Sequence, residues 1–123
     1  MDFEAKIAEL GLLIPKPAKP AGSYKPCVIV DNIAYISGQG PLLEDGSFAK
    51  GKVGADVDLE TAQNHARLCG LAILSALKNE IGSINKVDQL IKLTGFVNCI
   101  ESFTQQPLVI NGCSNMMKDI FGE

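Results

Sequence analysis

One histidine and one arginine are all that the 123 residues contain of either type. With His65 alone there is no histidine pair to share the acid and base roles of phosphodiester cleavage. Arg67 and ten scattered lysines, in a chain of net charge -3, leave no basic stripe to follow a phosphate backbone. Nucleic acid is therefore not expected as a partner. Cys27, Cys69, Cys99 and Cys113 never approach Cys-x-x-Cys spacing, and no stretch has the makeup of a signal peptide or a long apolar span. The expectation is reduced thiols in a cytoplasmic protein without membrane contact. His65 and Cys69 stand one helical turn apart, but a structural zinc site needs four such groups and no second ligand pair accompanies them, so no metal is expected.

What is present is a chain long enough for one core, with 46% hydrophobic and 20% charged residues. Residues 1–123 read as a single domain organised around the run from Pro26 to Pro41. Two β-rich segments, Cys27 to Val30 and Ile33 to Ile36, flank Asp31-Asn32, whose short polar side chains tolerate the positive φ of a two-residue turn. The second segment ends at Ser37-Gly38-Gln39-Gly40-Pro41, where two glycines leave the backbone open to close approach by a small ligand.

Before the hairpin, residues 1–13 carry a short amphipathic helix with Phe3, Ile7 and Leu10 at helical spacing, ending at Gly11. Residues 14–23 follow as a proline-rich tether, because Pro15, Pro17 and Pro20 remove donors and force extended geometry. A stiff connector is the simpler account of it, a proline-motif ligand the other. After the hairpin, Gly46-x4-Gly51-Lys52 imitates a phosphate loop, but Val53 replaces the magnesium-binding hydroxyl and no helix opens there, which argues against nucleotide binding.

Asp58 is expected to cap a helix running to Ile81 and stopped by Gly82, with apolar residues on more than one face. Val87 to Ile100 is the longest strand candidate, with Gly95 marking a bulge or a close contact with another backbone. A fourth strand near Gly51 to Ala55 is possible on the same grounds. Thr104 is a possible cap and Pro107 a first position for a last helix ending at Gly122. The class is α+β, with two helices covering one face of a small sheet. A strand after the last helix would complete that layer, so the natural polypeptide is expected to continue past Glu123.

Tyr24, Ile36-Ser37-Gly38-Gln39, Lys78-Asn79-Glu80-Ile81-Gly82, Lys86-Val87-Asp88, Gly95-Phe96-Val97-Asn98 and the helix from Phe103 to Phe121 resemble the YjgF/RidA family, also known as L-PSP endoribonucleases. The likeness extends from Pro15 onward; the amino-terminal helix looks like a subgroup feature. It implies a chorismate-mutase-like mixed sheet with two helices on one face, a homotrimer with interfacial clefts, and a small 2-keto or 2-imino acid ligand. It further implies hydrolysis of enamines and imines such as 2-aminoacrylate, with no metal or organic cofactor. On this resemblance Tyr24 and Ser37 are the catalytic candidates, and Gly38, Gln39 and Asn111 the substrate-binding ones. Without it, the favoured reading is of Tyr24 as a rim aromatic packing beside the tether and of Ser37 as a strand-end cap. The arginine with which deaminating members grip the substrate carboxylate, and a later glutamate, have no counterpart among these residues; Arg67 lies within the long helix. They are expected in a continuation beyond Glu123, and without them no hydrolysis above background. The alternatives are a non-catalytic trimeric binder or regulator and, more weakly, an endoribonuclease.

Overall fold

The computed structural model describes residues 2–20 and 22–122, so Ala21 of the tether and the terminal Glu123 lie outside the described residues. Helix α1 spans Phe3–Glu9. The Asp2 carboxylate accepts the Ala5 amide at 3.0 Å, satisfying one of the unpaired donors of the first turn. Gly11, at φ +72°, turns the chain out of the helix. Phe3 and Ile7, one turn apart, are the residues that α1 buries.

Strands β1 (Cys27–Val30) and β2 (Ile33–Ile36) pair antiparallel, with Val30 opposite Ile33 and Cys27 opposite Ile36. Asp31 and Asn32 have φ values of 50° and 63°, the double left-handed geometry whose twist matches that of the strands it joins. A wider turn follows, in which Leu42 pairs with Phe48 and the Asp45 side chain accepts the amide and hydroxyl of Ser47.

Helix α2 (Leu59–Ile81) begins as the sequence predicts, with the Asp58 carboxylate accepting the Thr61 amide at 2.8 Å, and stops at Gly82 at φ +88°. A single 3-10 turn (Ile84–Lys86) follows. Helix α3 (Gln106–Phe121) starts differently from expectation. Its cap is Gln105, which makes no side-chain capping bond, and Pro107 sits just inside the first turn. Thr104 falls one residue too early to serve, and the proline's missing amide leaves one donor fewer to satisfy.

The strand expected over Val87 to Ile100 does not form as a ladder. Val53 donates to the Asn98 carbonyl at 2.9 Å and accepts from the Ile100 amide at 3.0 Å, and this single parallel bridge to Cys99 is its pairing among the described residues. The strand considered near Gly51 to Ala55 is mostly a turn: the Lys52 carbonyl accepts from Ala55, Asp56 and Val57, and Gly51 and Gly54 adopt φ of 133° and 94°. β-propensity favours extended backbone, but a strand also needs a neighbour, and here the neighbour is one residue long. Val87, Leu93 and Val97 rest on the core, whereas Ile91 and Phe96 are 70% and 93% exposed. Gly95 marks a close approach, but to the side chain of Ile110 on α3. The architecture is thus α+β, a small antiparallel sheet with three helices.

The core lies where α2 meets α3. A Cβ on Gly112 would collide with the carbonyl of Gln63, so the two backbones touch; one on Gly70 would lie 2.6 Å from the Met116 methyl and 2.8 Å from the Cys113 sulfur. Leu74, Ile84 and Met117 are the large side chains of the core that are fully buried. At the far end of α3, the Phe121 ring meets Phe3 edge-on with centroids 4.9 Å apart.

Glu4 ties the amino-terminal helix to the rest. Its carboxylate accepts Lys78 Nζ at 2.9 Å, the Ile84 amide at 2.8 Å and the Ser83 hydroxyl at 3.4 Å, while its own amide donates to Asn85 Oδ1 at 2.8 Å. The Lys78 hydrogen bond, then the Ile84 amide, hold the Glu4 pKa below the usual glutamate range. A group depressed in the folded state stabilises above its unfolded pKa, and that stability is lost as pH falls through the lowered value. Glu4→Gln is accordingly expected to cost about 1 kcal/mol at pH 7, and urea midpoints of variant and parent should converge below pH 4. A gap that persists in acid would mean that the charge is not what holds α1.

Gly112→Ala is expected to cost about 3 kcal/mol or more, because backbone atoms cannot yield to the added methyl. Gly70→Ala meets flexible side-chain ends and should cost less. Equal urea midpoints for the two would show that the helices do not meet at Gly112.

Candidate functional site

The proline tether does not hang free. The buried Ser75 hydroxyl donates to the Pro15 carbonyl at 2.7 Å, pinning the segment across α2. Beneath the strap, Ala72, Ser75, Ala76 and Asn79 form one face of α2 at the i, i+3, i+4, i+7 spacing. This face is roughly opposite the Gln63, Ala66 and Gly70 side that receives α3. Small side chains here leave a groove of about 90 Å³ between helix and strap. A shallower groove of about 260 Å³ continues along the strap past Ile14 and Lys78.

The second wall is the chain leaving β2. Gly38, Gln39 and Gly40 line the groove, and the Phe48 ring folds over Gly40, where a Cβ would lie 2.9 Å from it. Gly38 has open space where a side chain would stand, so its backbone is approachable. The Gln39 amide nitrogen reaches back to the Ser37 carbonyl at 3.3 Å, which orients the side chain. Tyr24, at the end of the strap, closes the groove.

Tyr24, Gly38 and Gln39, singled out in the sequence, therefore meet in one groove with the tether. Ser37 stands one residue behind the wall. Its amide and hydroxyl both donate to the Pro26 carbonyl, at 2.9 Å and 3.3 Å, so the hydroxyl continues the hairpin pairing while Pro26 itself faces the groove. Asn111 lies on α3, where its Oδ1 accepts the Ser114 hydroxyl at 3.4 Å, and does not line the groove. Lys16, Lys19, Ser75 and Asn79 were not anticipated. The signal for the two lysines was their three-residue spacing in an extended chain; for Ser75 and Asn79 it was a small and polar stripe on an otherwise apolar helix.

The thiols are packing groups. All four cysteines are free. Burial raises the pKa of Cys69, and burial with Cys69 nearby pushes Cys113 up to about 11; Cys27 is raised by burial, then by Glu80. Among the described residues no three His, Cys, Asp or Glu side chains gather as a metal site. No helix of the described residues is long and apolar enough to cross a membrane.

Residues 4–123 match a family model described as "YjgF/chorismate mutase-like, putative endoribonuclease". The chain belongs to this family. The protein TCP17 of Trypanosoma cruzi is 34% identical over 119 residues, covering 97% of this chain and 74% of its own. A crystal structure from Shewanella oneidensis carrying the same endoribonuclease description superposes with a TM-score of 0.94 at 30% identity, over 99% of this chain and 81% of the other. A protein of unknown function from Agrobacterium tumefaciens gives 0.85 at 41% identity, over 98% and 73%. The family's chorismate-mutase-like fold is thus the fold of this chain. These relatives share the backbone that sets the groove, while their names speak for themselves alone.

Proposed function

We propose that the groove binds small 2-keto and 2-imino acids, and that the protein hydrolyses reactive enamine and imine intermediates of the 2-aminoacrylate type. The observation that carries this reading is the meeting of the Tyr24 phenol with the bare backbone of Gly38 to Gly40 in a groove of about 90 Å³. That is the volume of about three water molecules, far below a drug-sized pocket, and it suits a ligand of a few heavy atoms.

The chemistry asks for little. Water oxygen bonds to the imine carbon, a proton passes to nitrogen, and the carbon–nitrogen bond breaks to release ammonia and leave the keto acid. A positioned phenol and hydroxyl are suited to hold the water and relay the proton. In this scheme Tyr24 acts on the ligand, and Ser37 releases its 3.3 Å bond to Pro26 to join it. Gln39 and the Gly38 amide orient the ligand. Free thiols fit a reducing cytoplasmic setting. Cleavage of RNA is less well supported: the net charge is -3, and one histidine leaves no acid–base pair for it.

The same reading includes a homotrimer. Both faces of the hairpin are apolar and exposed at Val28, Ile29, Val30 and Tyr35, as are Ile91 and Phe96, which is more bare apolar surface than a monomer ordinarily keeps. Light scattering at micromolar concentration should give three times the chain mass; a monomer would sink the interface-cleft arrangement.

For the reaction, keto-acid release is followed while a dehydratase generates the enamine in the same cuvette. Tyr24→Phe and Ser37→Ala are each expected to lower kcat/KM by about a hundredfold with thermal midpoints nearly unchanged. A parent protein no faster than the uncatalysed background, yet binding 2-ketobutyrate, would favour a non-catalytic binder.

A further inference from the structure

Lysines gather around the groove, and they are not equivalent. Lys78 is held by Glu4 at 2.9 Å and Lys25 stands 4.0 Å from Glu80, so both are neutralised by neighbours. Lys16 and Lys19 line the groove and make no ion pair or hydrogen bond among the described residues. Among the described residues, no aspartate or glutamate lines the groove with them. In a chain of net charge -3, this is a local reversal of sign.

Their placement follows from the prolines. Pro15, Pro17 and Pro20 hold the segment extended, and in such a chain three residues make about one turn and span about 9 Å. Residues three apart in such a chain lie along the same side of it, and both Lys16 and Lys19 line the groove. The Ser75 bond to Pro15 braces the strap against α2, so the two lysines are carried beside the groove by a fixed backbone.

We infer that Lys16 and Lys19 draw small carboxylates to this groove: the strap supplies, from the amino-terminal side of the same chain, positive charge additional to the arginine grip that the family resemblance implies. This rests on the small-acid reading of the groove and adds the residues that draw the acid in. Two lysines act as point charges with mobile heads, so they attract a carboxylate without the fixed two-bond geometry of a guanidinium. Recognition should then be sensitive to salt and tolerant of the shape of the acid.

The test is calorimetric titration of 2-ketobutyrate, 2-butanone and inorganic phosphate into the purified protein and into Lys16→Gln/Lys19→Gln, alongside Lys50→Gln/Lys92→Gln as a control for net charge. The strap variant should bind 2-ketobutyrate at least about tenfold more weakly at low salt, with an unchanged thermal midpoint. The control should match the parent, Lys16→Arg/Lys19→Arg should retain binding, and 2-butanone should not distinguish parent from strap variant. Equal affinity of strap variant and parent overturns the inference, as does a parent that binds no carboxylate. Phosphate bound more tightly than the keto acid, with the same lysine dependence, overturns the carboxylate assignment. Keto-acid release is measured on the same samples: lysine-dependent binding without turnover leaves the inference standing and ends the hydrolase reading, whereas turnover unaffected by the lysines does the reverse.

Discussion

The contact between Gly112 and the Gln63 carbonyl fixes where everything else goes. Two helices ordinarily stay apart by the thickness of their side chains, and here one side chain has been deleted so that backbone meets backbone. Once α3 is seated at that depth, Cys113, Met116 and Met117 pack against α2 around Gly70, and Phe121 is carried to the place where Phe3 meets it. The position of α1 is thus a consequence of a glycine more than a hundred residues away in the chain.

Helix α2 divides its surface between two tasks. One side receives α3, and the roughly opposite side, lined by alanines and one serine, forms the groove floor. A helix hydrophobic on more than one face is normally a core helix; the small residues at Ala72 and Ala76 leave an open groove on one of those faces. The Ser75 hydroxyl uses its one donor on the strap, so the buried polar group is satisfied and the roof is fixed by a single bond.

Features set by neighbours in sequence were legible. Asp31-Asn32 specified its turn, Asp58 its cap and Gly82 its stop, because each acts over a few bonds. Val87 to Ile100 was misread for the opposite reason: its residues prefer extended backbone, but whether that backbone joins a ladder depends on distant partners, and among the described residues only Val53 pairs with it. Thr104 failed as a cap by one residue, within the usual uncertainty of helix ends. In the site, Tyr24, Gly38 and Gln39 were visible as a tyrosine before a glycine-rich strand end. Lys16 and Lys19 were hidden in a segment that reads as a connector, and nothing in its composition says that Ser75, about sixty positions on, will hold it down.

The Glu4 clamp gives the amino-terminal helix a meaning beyond packing. A basic segment on a loose tail explores a large volume, and its charges are dilute with respect to any one spot on the protein. With α1 latched to Lys78 and Ile84 at one end and Tyr24 running into the hairpin at the other, the proline segment is a bridge between two abutments. The ordering entropy of its lysines is then met during folding and not at each encounter with a ligand, and their effective concentration over α2 is set by architecture. Helix α1, remote from the groove, thereby helps to fix where the strap carries its two lysines.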